Sequence, residues 1–234
     1  MKKNISARLI FAVFFVLTAV TVGAQSPAPA DSTAAAASEH KVACVGDSIT
    51  QGSGTTGGNS YPSQLQALLG SGWQVQNFGV GGRTLLKKGD HPYWIEKAFT
   101  AAHDFSPNYV IIMLGTNDTK PQNWVHQDEF YADYKDLIES FKNLPSKPHI
   151  FICRPCPVPG AGNYGINEKN LQLEIPVIDK LAAEESVDLI DMHAALAGHP
   201  EMLPDRVHPN NAGADLMAQA AVAALTGKSA PSPH

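Results

Sequence analysis

The segment YVIIMLGTND, residues 109–118, consists of six apolar residues followed by a glycine and three polar residues. An unbroken apolar run of this length is typical of a β-strand buried on both faces, as in the centre of a parallel sheet. The polar residues then follow the carboxyl end of that strand, where parallel sheets place their functional groups. The segment therefore predicts an α/β fold with a functional site beside Asn117.

Apolar segments on either side of this strand predict four further strands, and amphipathic patterns between them predict helices. The predicted strands are Lys41–Val45, Trp73–Val80, Tyr109–Leu114, His149–Cys153 and Val187–Asp191, and the predicted helices are Pro62–Leu69, Trp94–His103, Phe130–Leu144, Leu171–Glu184 and Ala212–Leu225. Within the second strand, Val75 and Phe78 are expected to point into the core. The alternation of strands and helices predicts a parallel sheet with right-handed crossovers and helices on both faces.

The composition is that of an ordinary globular protein. The chain has 234 residues, enough for one α/β domain with a sizeable core. Its formal net charge of −5 and its lack of a basic cluster argue against nucleic acid as a partner. Its three cysteines are too few for a disulfide framework.

The N-terminus predicts a cleaved secretory signal peptide over residues 1–24. Lys2, Lys3 and Arg8 form a basic start, and an apolar run from Leu9 to Val22 follows. An uncleaved anchor is the alternative, although the run is shorter than the about 20 residues that span a membrane. We expect a periplasmic or secreted protein with no stable membrane insertion after cleavage.

The rest of the chain divides into a linker, one domain and a tail. Residues 25–40 are rich in Ala, Ser and Pro and contain no Phe, Trp or Tyr, so they are predicted to be a flexible linker. Residues 227–234 have a similar composition and are predicted to be a disordered tail. The folded domain is predicted over residues 41–226.

The motif Gly46-Asp47-Ser48 follows the first predicted strand and opens the next helix. A serine at a helix start is well placed as a nucleophile, because nearby backbone N–H groups can stabilise negative charge. A helix N-cap is the alternative, and it is a very common use of serine in this position.

Three further motifs supply polar groups near the same edge of the sheet. Gly82, in the glycine-rich segment Asn77–Thr84, can bring a backbone N–H close to a ligand. Asn117 can aim its side-chain amide at the mouth of the sheet. Asp205 and His208 share a face of one helical turn, so the carboxylate can bond Nδ1 and leave Nε2 free as a base. Taken singly, the motifs are also compatible with tight turns, an Asx cap and a surface pair.

In this order, the four motifs resemble those of the SGNH (GDSL) hydrolase family, which is named for a Ser, Gly, Asn and His in four sequence blocks. The resemblance covers nearly all of residues 41–226. It implies that Ser48 is the nucleophile, His208 the general base and Asp205 the acid that orients the base.

The resemblance also implies an oxyanion hole formed by the backbone N–H groups of Ser48 and Gly82 and the side chain of Asn117. It implies a three-layer α/β/α sandwich with five parallel strands in the flavodoxin-like order, and a reaction that needs no metal or organic cofactor. The first block reads Gly-Asp-Ser-Ile rather than Gly-Asp-Ser-Leu, a change at an apolar packing position.

Two other patterns have weaker functional interpretations. Residues 52–57 (GSGTTG) match the spacing of a dinucleotide-binding loop, but no acidic residue follows at the required distance, so a flexible rim beside the nucleophile is expected. Cys153 and Cys156 have the spacing of a redox pair, but their position at a strand end favours two structural cysteines, with or without a disulfide. Cys44 is predicted to be a buried small hydrophobe. The histidines show no zinc-ligand spacing.

The loops at the carboxyl edge of the sheet suggest the substrate. They are polar and contain Trp124 and Tyr164, which suit a sugar better than a long lipid chain. Packing of Trp124 against a helix is the alternative. Arg83 adjoins Gly82, so Arg83, Trp124 and Tyr164 are candidate substrate-binding residues. Exported members of the family with similar loops resemble carbohydrate O-acetylesterases.

We therefore expect a secreted serine esterase that removes short acyl groups, acetyl above all, from a small-molecule or polysaccharide substrate. One alternative is a lysophospholipase, thioesterase or other lipid-ester hydrolase of the same family. The other is a non-catalytic carbohydrate-binding or interaction protein on the same scaffold.

Overall fold

The computed structural model describes residues 40–228. The predicted signal peptide, residues 25–39 of the predicted linker and residues 229–234 of the predicted tail lie outside the described residues. His40, the last residue of the predicted linker, is already the first residue of a strand. The last helix ends at Thr226, and Gly227 follows it in the left-handed conformation of a helix C-cap.

Five parallel strands form a sheet in the order β2-β1-β3-β4-β5. The strands are β1 His40–Gly46, β2 Trp73–Gly79, β3 Tyr109–Met113, β4 His149–Arg154 and β5 Asp188–Asp191. Every predicted strand is present, with ends that differ from the prediction by at most one residue. The strand order confirms the flavodoxin-like arrangement that the resemblance implied.

Hydrophobic cores on both sides of the sheet explain the apolar run in β3. Val110 and Ile112 belong to one core, whereas Ile111 belongs to the other, because successive side chains of a strand point to opposite faces. The same rule refines the prediction for β2. Val75 and Phe78 are an odd number of residues apart, so they pack against opposite cores rather than one.

Helices cover both faces of the sheet. They are α1 Ser48–Gln51, α2 Tyr61–Leu69, α3 Lys97–Asp104, α4 Pro121–Trp124, α5 Phe130–Lys142, α6 Glu168–Glu185, α7 Met192–Leu196 and α8 Asn211–Thr226. Buried apolar residues of α3, α5 and the second half of α6 belong to one core, and those of α2, α7 and α8 belong to the other. This is the expected three-layer α/β/α sandwich. Among residues 40–228, no helix is long and apolar enough to cross a membrane.

Local hydrogen bonds account for the helix ends that differ from the prediction. The side chain of Asn167 accepts a hydrogen bond from Asn170 N at 2.9 Å, so α6 begins at Glu168, three residues earlier than expected. The predicted helix Trp94–His103 divides in two, because Tyr93–Ile95 is a separate 3₁₀ helix and Glu96 is extended.

The three cysteines are free thiols and all are buried. Cys156 Sγ lies 3.7 Å from Met217 Sδ, and Cys153 packs in the same core. The disulfide that the spacing left open is therefore not formed, and both residues act as small packing groups. Cys44 in β1 is fully buried, as expected.

Candidate active site

The end of β1 leads directly into the candidate nucleophile. Asp47 caps α1, because its Oδ1 accepts a hydrogen bond from Ile49 N at 2.9 Å. Ser48 is the first residue of the helix rather than its cap. Backbone N–H groups in a first helical turn have no partner within the helix, so the Ser48 N–H can serve a bound group.

Ser48, His208 and Asp205 form a continuous chain of hydrogen bonds. Ser48 Oγ lies 2.9 Å from His208 Nε2, and His208 Nδ1 lies 2.7 Å from Asp205 Oδ2. Asp205 Oδ1 also accepts from the backbone N–H groups of His208 at 2.7 Å and Val207 at 3.0 Å. With the Nδ1 proton held by the carboxylate, Nε2 can accept the proton of Ser48.

The hydrogen bonds to Asp205 favour its charged form. Partial burial acts to raise the pKa of this carboxyl, but the bonds from the imidazole and from the backbone N–H groups of His208 and Val207 outweigh burial and lower the pKa. The carboxylate is thus ionised and can stabilise an imidazolium that forms on His208.

The glycine-rich segment 52–57 packs on the histidine loop. A Cβ at Gly54 would lie 2.8 Å from the Cβ of His208 and 2.7 Å from the carbonyl oxygen of Pro209, so only glycine allows this approach. Ser53 lines the cavity that contains the nucleophile candidate. The expected rim of the site therefore also supports the candidate base.

Gly82 and Asn117 reach the same cavity as Ser48 from the ends of β2 and β3. Gly82 has a φ of +77°, a left-handed conformation that favours glycine. Asn117 is 3% exposed, and its Nδ2 donates to Asp47 Oδ2 and to the carbonyl oxygen of Arg83, each at 3.1 Å. These bonds fix the amide at the cavity wall, where an oxyanion on the substrate would compete with the Arg83 carbonyl for one hydrogen.

Asp118 ties the loop after β2 to the loop after β3. Its side chain is 0% exposed and accepts hydrogen bonds from Leu86 N at 2.7 Å and Leu85 N at 3.0 Å. Leu85 and Leu86 follow Gly82, and Asp118 follows Asn117. The carboxyl group therefore sets the position of one oxyanion-hole candidate relative to the other.

Burial changes the protonation of three carboxyl groups in this region. Loss of solvation raises the pKa of Asp47 to about 6 and that of Asp118 to about 7, despite hydrogen bonds that favour the charged forms. Glu174 on α6 is fully buried, and its carboxyl oxygens have no hydrogen-bond partner among the described residues. Burial raises the pKa of Glu174 well above its usual value, so this residue keeps its proton where an exposed glutamate is ionised.

The cavity at the carboxyl edge of the sheet has a volume of about 250 Å³. It is lined by Ser48, Ser53, Gly82, Asn117, Lys120, Tyr164, Ile166 and His208. Tyr164, one of the predicted substrate-binding residues, is 58% exposed and donates its hydroxyl to Asp205 Oδ2 at 3.3 Å. The structure thus brings the catalytic and oxyanion-hole candidates together with Tyr164.

Arg83 and Trp124, the other two predicted substrate-binding residues, do not line this cavity. Arg83 Nη2 pairs with Glu96 at 2.8 Å, so its charge is already neutralised by the protein. The ring of Trp124 packs against Phe130 with centroids 6.3 Å apart. Each side chain has a partner within the protein, and a role of either residue in substrate binding stays a prediction.

Sequence reasoning missed Asp118, Lys120 and Glu174. Asp118 adjoins Asn117 and Lys120 lies three residues after it, and their position soon after a buried strand was the available signal. Nothing in the sequence marks Glu174, which lies on a helix whose other face is exposed. Within residues 40–228 there is no group of three or more His, Cys, Asp or Glu side chains that could hold a metal ion.

A curated relative and solved structures resemble this chain. The acetylxylan esterase of Xylanibacter ruminicola is 37% identical over an alignment of 206 residues. The match covers 79% of this chain and 43% of that protein. The chain therefore spans less than half of the length of this relative.

Solved structures share the fold. A carbohydrate acetylesterase from Sinorhizobium meliloti matches with a TM-score of 0.68 at 18% identity, over 81% of this chain and 99% of the other. A catalytic mutant of an acetylxylan esterase from Geobacillus stearothermophilus matches with a TM-score of 0.63 at 24% identity, over 84% of this chain and 98% of the other. Residues 44–216 match the GDSL-like lipase/acylhydrolase family, and the chain therefore belongs to that family.

Proposed function

We propose that the protein is a serine carboxylic-ester hydrolase that removes acetyl groups from carbohydrates through an acyl-enzyme. The observation that carries this proposal is the chain of hydrogen bonds from Ser48 through His208 to Asp205, which opens on a small cavity. The relative named as an acetylxylan esterase supports an acetylated carbohydrate as the substrate.

The reaction proceeds in two halves. His208 takes the proton of Ser48 as the serine Oγ attacks the ester carbonyl. The N–H groups of Ser48 and Gly82 and the amide of Asn117 stabilise the negative charge that forms on the carbonyl oxygen. The alcohol leaves with the proton from His208, and water then attacks the acyl-enzyme by the same steps. Asp205 keeps the imidazole in the required tautomer throughout.

The size and lining of the cavity favour a short acyl group. Its volume of about 250 Å³ lies below the about 300–1,000 Å³ of sites that enclose drug-sized ligands. Ile166 is its one aliphatic lining residue among the described residues, and serine, asparagine, lysine and tyrosine supply most of the rest. The small volume of the cavity disfavours the lysophospholipase alternative.

Turnover of a series of p-nitrophenyl esters, from acetate to decanoate, tests the acyl preference. We expect the highest kcat/KM for acetate, together with release of acetate from acetylated xylan. Ser48→Ala is expected to abolish turnover and labelling by an active-site serine probe. Ser63→Ala, which changes an exposed serine on α2, is the matched control and is expected to retain both. A preference for decanoate or for lysophospholipids contradicts the proposal.

Export of the protein is part of the same proposal and is supported by the basic start and apolar run within residues 1–24. N-terminal sequencing of protein taken from the producing cell is expected to find a chain that begins near Gln25. A chain that keeps residues 1–24 contradicts cleavage.

A further inference from the structure

We propose that Lys120 recognises a carboxylate on the substrate, so that the site prefers acetylated sugar acids, such as acetylated uronic acids, over acetylated neutral sugars. This inference rests on the proposed function, because it names the kind of carbohydrate ester that the site takes. It is carried by a basic side chain that lines the catalytic cavity and whose ammonium group has no hydrogen bond or ion pair among the described residues.

Lys120 is half-buried and lines the cavity together with Ser48 and Asn117. The other described residues that line this cavity include no arginine, aspartate or glutamate. None of the ion pairs or side-chain hydrogen bonds within residues 40–228 involves its ammonium group. The side-chain amides of Gln122 and Asn123 donate to the carboxylate of Asp90 and lower its pKa. The charge of Lys120 acts in the same direction, but Lys120 makes no hydrogen bond to Asp90.

Backbone hydrogen bonds fix the position of the Lys120 main chain. The N–H of Lys120 donates to the carbonyl oxygen of Asn117 at 3.3 Å, and its own carbonyl oxygen accepts from Asn123 N at 2.9 Å and Trp124 N at 2.8 Å. Lys120 is the N-cap of α4. These bonds fix the backbone from which the ammonium group extends, three residues from the oxyanion-hole candidate.

A second set of contacts holds Lys120 beside the loop that carries Tyr164. The carbonyl oxygen of Thr119 accepts from Asn167 Nδ2 at 3.0 Å, which ties this segment to the start of α6. The stem of Lys120 lies against Gly165, where an added Cβ would be 3.7 Å from Lys120 Cγ. The stem of Lys120 thus lies beside the loop that carries the exposed ring of Tyr164.

The charge of the whole protein makes this one ammonium group important. The chain has a formal net charge of −5, so its overall field does not attract an anionic substrate. A charge-assisted hydrogen bond from Lys120 can position a carboxylate, whereas a neutral sugar offers the ammonium group no charged acceptor. Because Lys120 and Ser48 line one cavity of about 250 Å³, the carboxylate and the ester must lie on the same or adjoining sugar units.

The test compares two esters that differ in one group: acetylated methyl glucuronoside and acetylated methyl glucoside, each carrying one acetyl group on the same ring hydroxyl. We expect the wild-type kcat/KM for the glucuronoside to exceed that for the glucoside about tenfold, since a hydrogen bond to a charged group is typically worth about that factor or more. The difference should arise in KM and should shrink at about 0.5 M sodium chloride, where charge interactions are screened.

Three variants isolate the role of Lys120. Lys120→Met should bring the ratio of the two kcat/KM values close to one, and Lys120→Arg should largely restore the preference because it restores the charge. Lys97→Met removes an exposed positive charge from α3, outside the cavity, and should keep the wild-type ratio.

A wild-type ratio near one overturns the inference, and so does a preference that survives in Lys120→Met. If Lys120→Met lowers kcat/KM equally for both esters, the inference is also overturned, because the charge would then act at the oxyanion rather than at the sugar. Hydrolysis of p-nitrophenyl acetate separates these results from a failure of the proposed function. If that ester is cleaved but neither sugar ester is, the proposed substrate class fails and the inference fails with it.

Discussion

Asn117 connects three segments of the chain through one nitrogen atom. Its Nδ2 donates to Asp47, which caps the helix that carries Ser48, and to the carbonyl oxygen of Arg83, which adjoins Gly82. A side chain that only holds these segments affects stability, whereas one that also donates to an oxyanion acts when negative charge forms on oxygen. The two roles therefore predict different kinetic effects.

Asn117→Ala is expected to lower kcat on p-nitrophenyl acetate by about 10²–10³-fold, the usual effect of removing one oxyanion donor, and to change KM much less. The variant should still react slowly with an active-site serine probe, because Ser48, His208 and Asp205 remain. Thermal unfolding of the same samples establishes that they are folded. Asn143→Ala, at an exposed position after α5, is the control. Near-normal kcat in folded Asn117→Ala would limit Asn117 to a structural role.

Single residues differ in how far the sequence reveals them. Ser48 and Asn117 follow predicted strands, so the parallel sheet alone brings them to one edge. The partner of Arg83 is Glu96, and the pairing depends on a loop conformation that has no periodic signal. Lys120 lies three residues after Asn117, but a lysine in a polar loop looks the same in the sequence whether it faces solvent or lines a cavity.

At the scale of elements, the two loops that carry the oxyanion-hole candidates are joined by a buried carboxyl group. Asp118, after β3, accepts hydrogen bonds from Leu85 N and Leu86 N in the segment after β2. Backbone N–H groups buried in this way need an acceptor, and a carboxylate supplies one oxygen to each. The relative position of Gly82 and Asn117 depends on this contact.

Asp118→Asn is expected to lower kcat about 10²-fold, because its amide nitrogen cannot accept the second hydrogen bond and the loops move relative to each other. The free energy of unfolding should also fall by about 1–3 kcal/mol, since one buried N–H loses its acceptor. Turnover of p-nitrophenyl acetate and urea unfolding measure the two effects. Asp136→Asn, at an exposed carboxylate on α5, should change neither appreciably. An unchanged kcat in Asp118→Asn would show that the loops hold their positions without this contact.

The end of β2 packs directly on α1, the short helix that begins with Ser48. A Cβ at Gly79 would lie 2.3 Å from Gln51 N and 2.7 Å from the carbonyl carbon of Thr50, so a side chain here must displace helix backbone. The nucleophile candidate is therefore positioned by a strand that contributes no catalytic side chain.

Gly79→Ala is expected to destabilise the fold by about 1–3 kcal/mol, the usual cost of overpacking, and to slow labelling of Ser48 by a serine probe. Gly72→Ala is the matched control, because a Cβ at Gly72 meets no atom within 4 Å. Urea unfolding and labelling rates of the two variants test this. Equal labelling rates would mean that α1 keeps its position despite the added methyl group.

The elements themselves could be predicted to different extents. The central strands β1, β3 and β4 contain apolar runs, because they are buried on both faces. The edge strands β2 and β5 are only partly buried and contain shorter apolar segments. The short helices α4 and α7 could not be predicted, since four or five residues contain too few turns to show a periodicity. The predicted helix Trp94–His103 is divided at Glu96, whose backbone is extended.

At the scale of the whole molecule, three carboxyl groups near the site have lost almost all contact with water. Asp47, Asp118 and Glu174 are fully or almost fully buried, and the charge of Asp47 also acts to raise the pKa of the other two. Asp47 and Asp118 gain hydrogen bonds that offset burial in part, whereas Glu174 gains none within residues 40–228. Its carboxyl oxygen lies close to Gly115, where an added Cβ would be 2.8 Å from Oε2.

Glu174→Gln is expected to make stability less dependent on pH. In the unfolded chain this carboxyl ionises near 4.5, whereas burial raises its pKa well above that value in the folded protein. As the pH rises between the two pKa values, the folded state binds more protons, so the wild type loses about 1.4 kcal/mol of stability per pH unit from this group. Urea unfolding at about pH 5 and about pH 8 should show a smaller loss for Glu174→Gln than for wild type. If wild type and Glu174→Gln lose the same free energy of unfolding between these pH values, Glu174 is ionised, and therefore solvated, inside the fold.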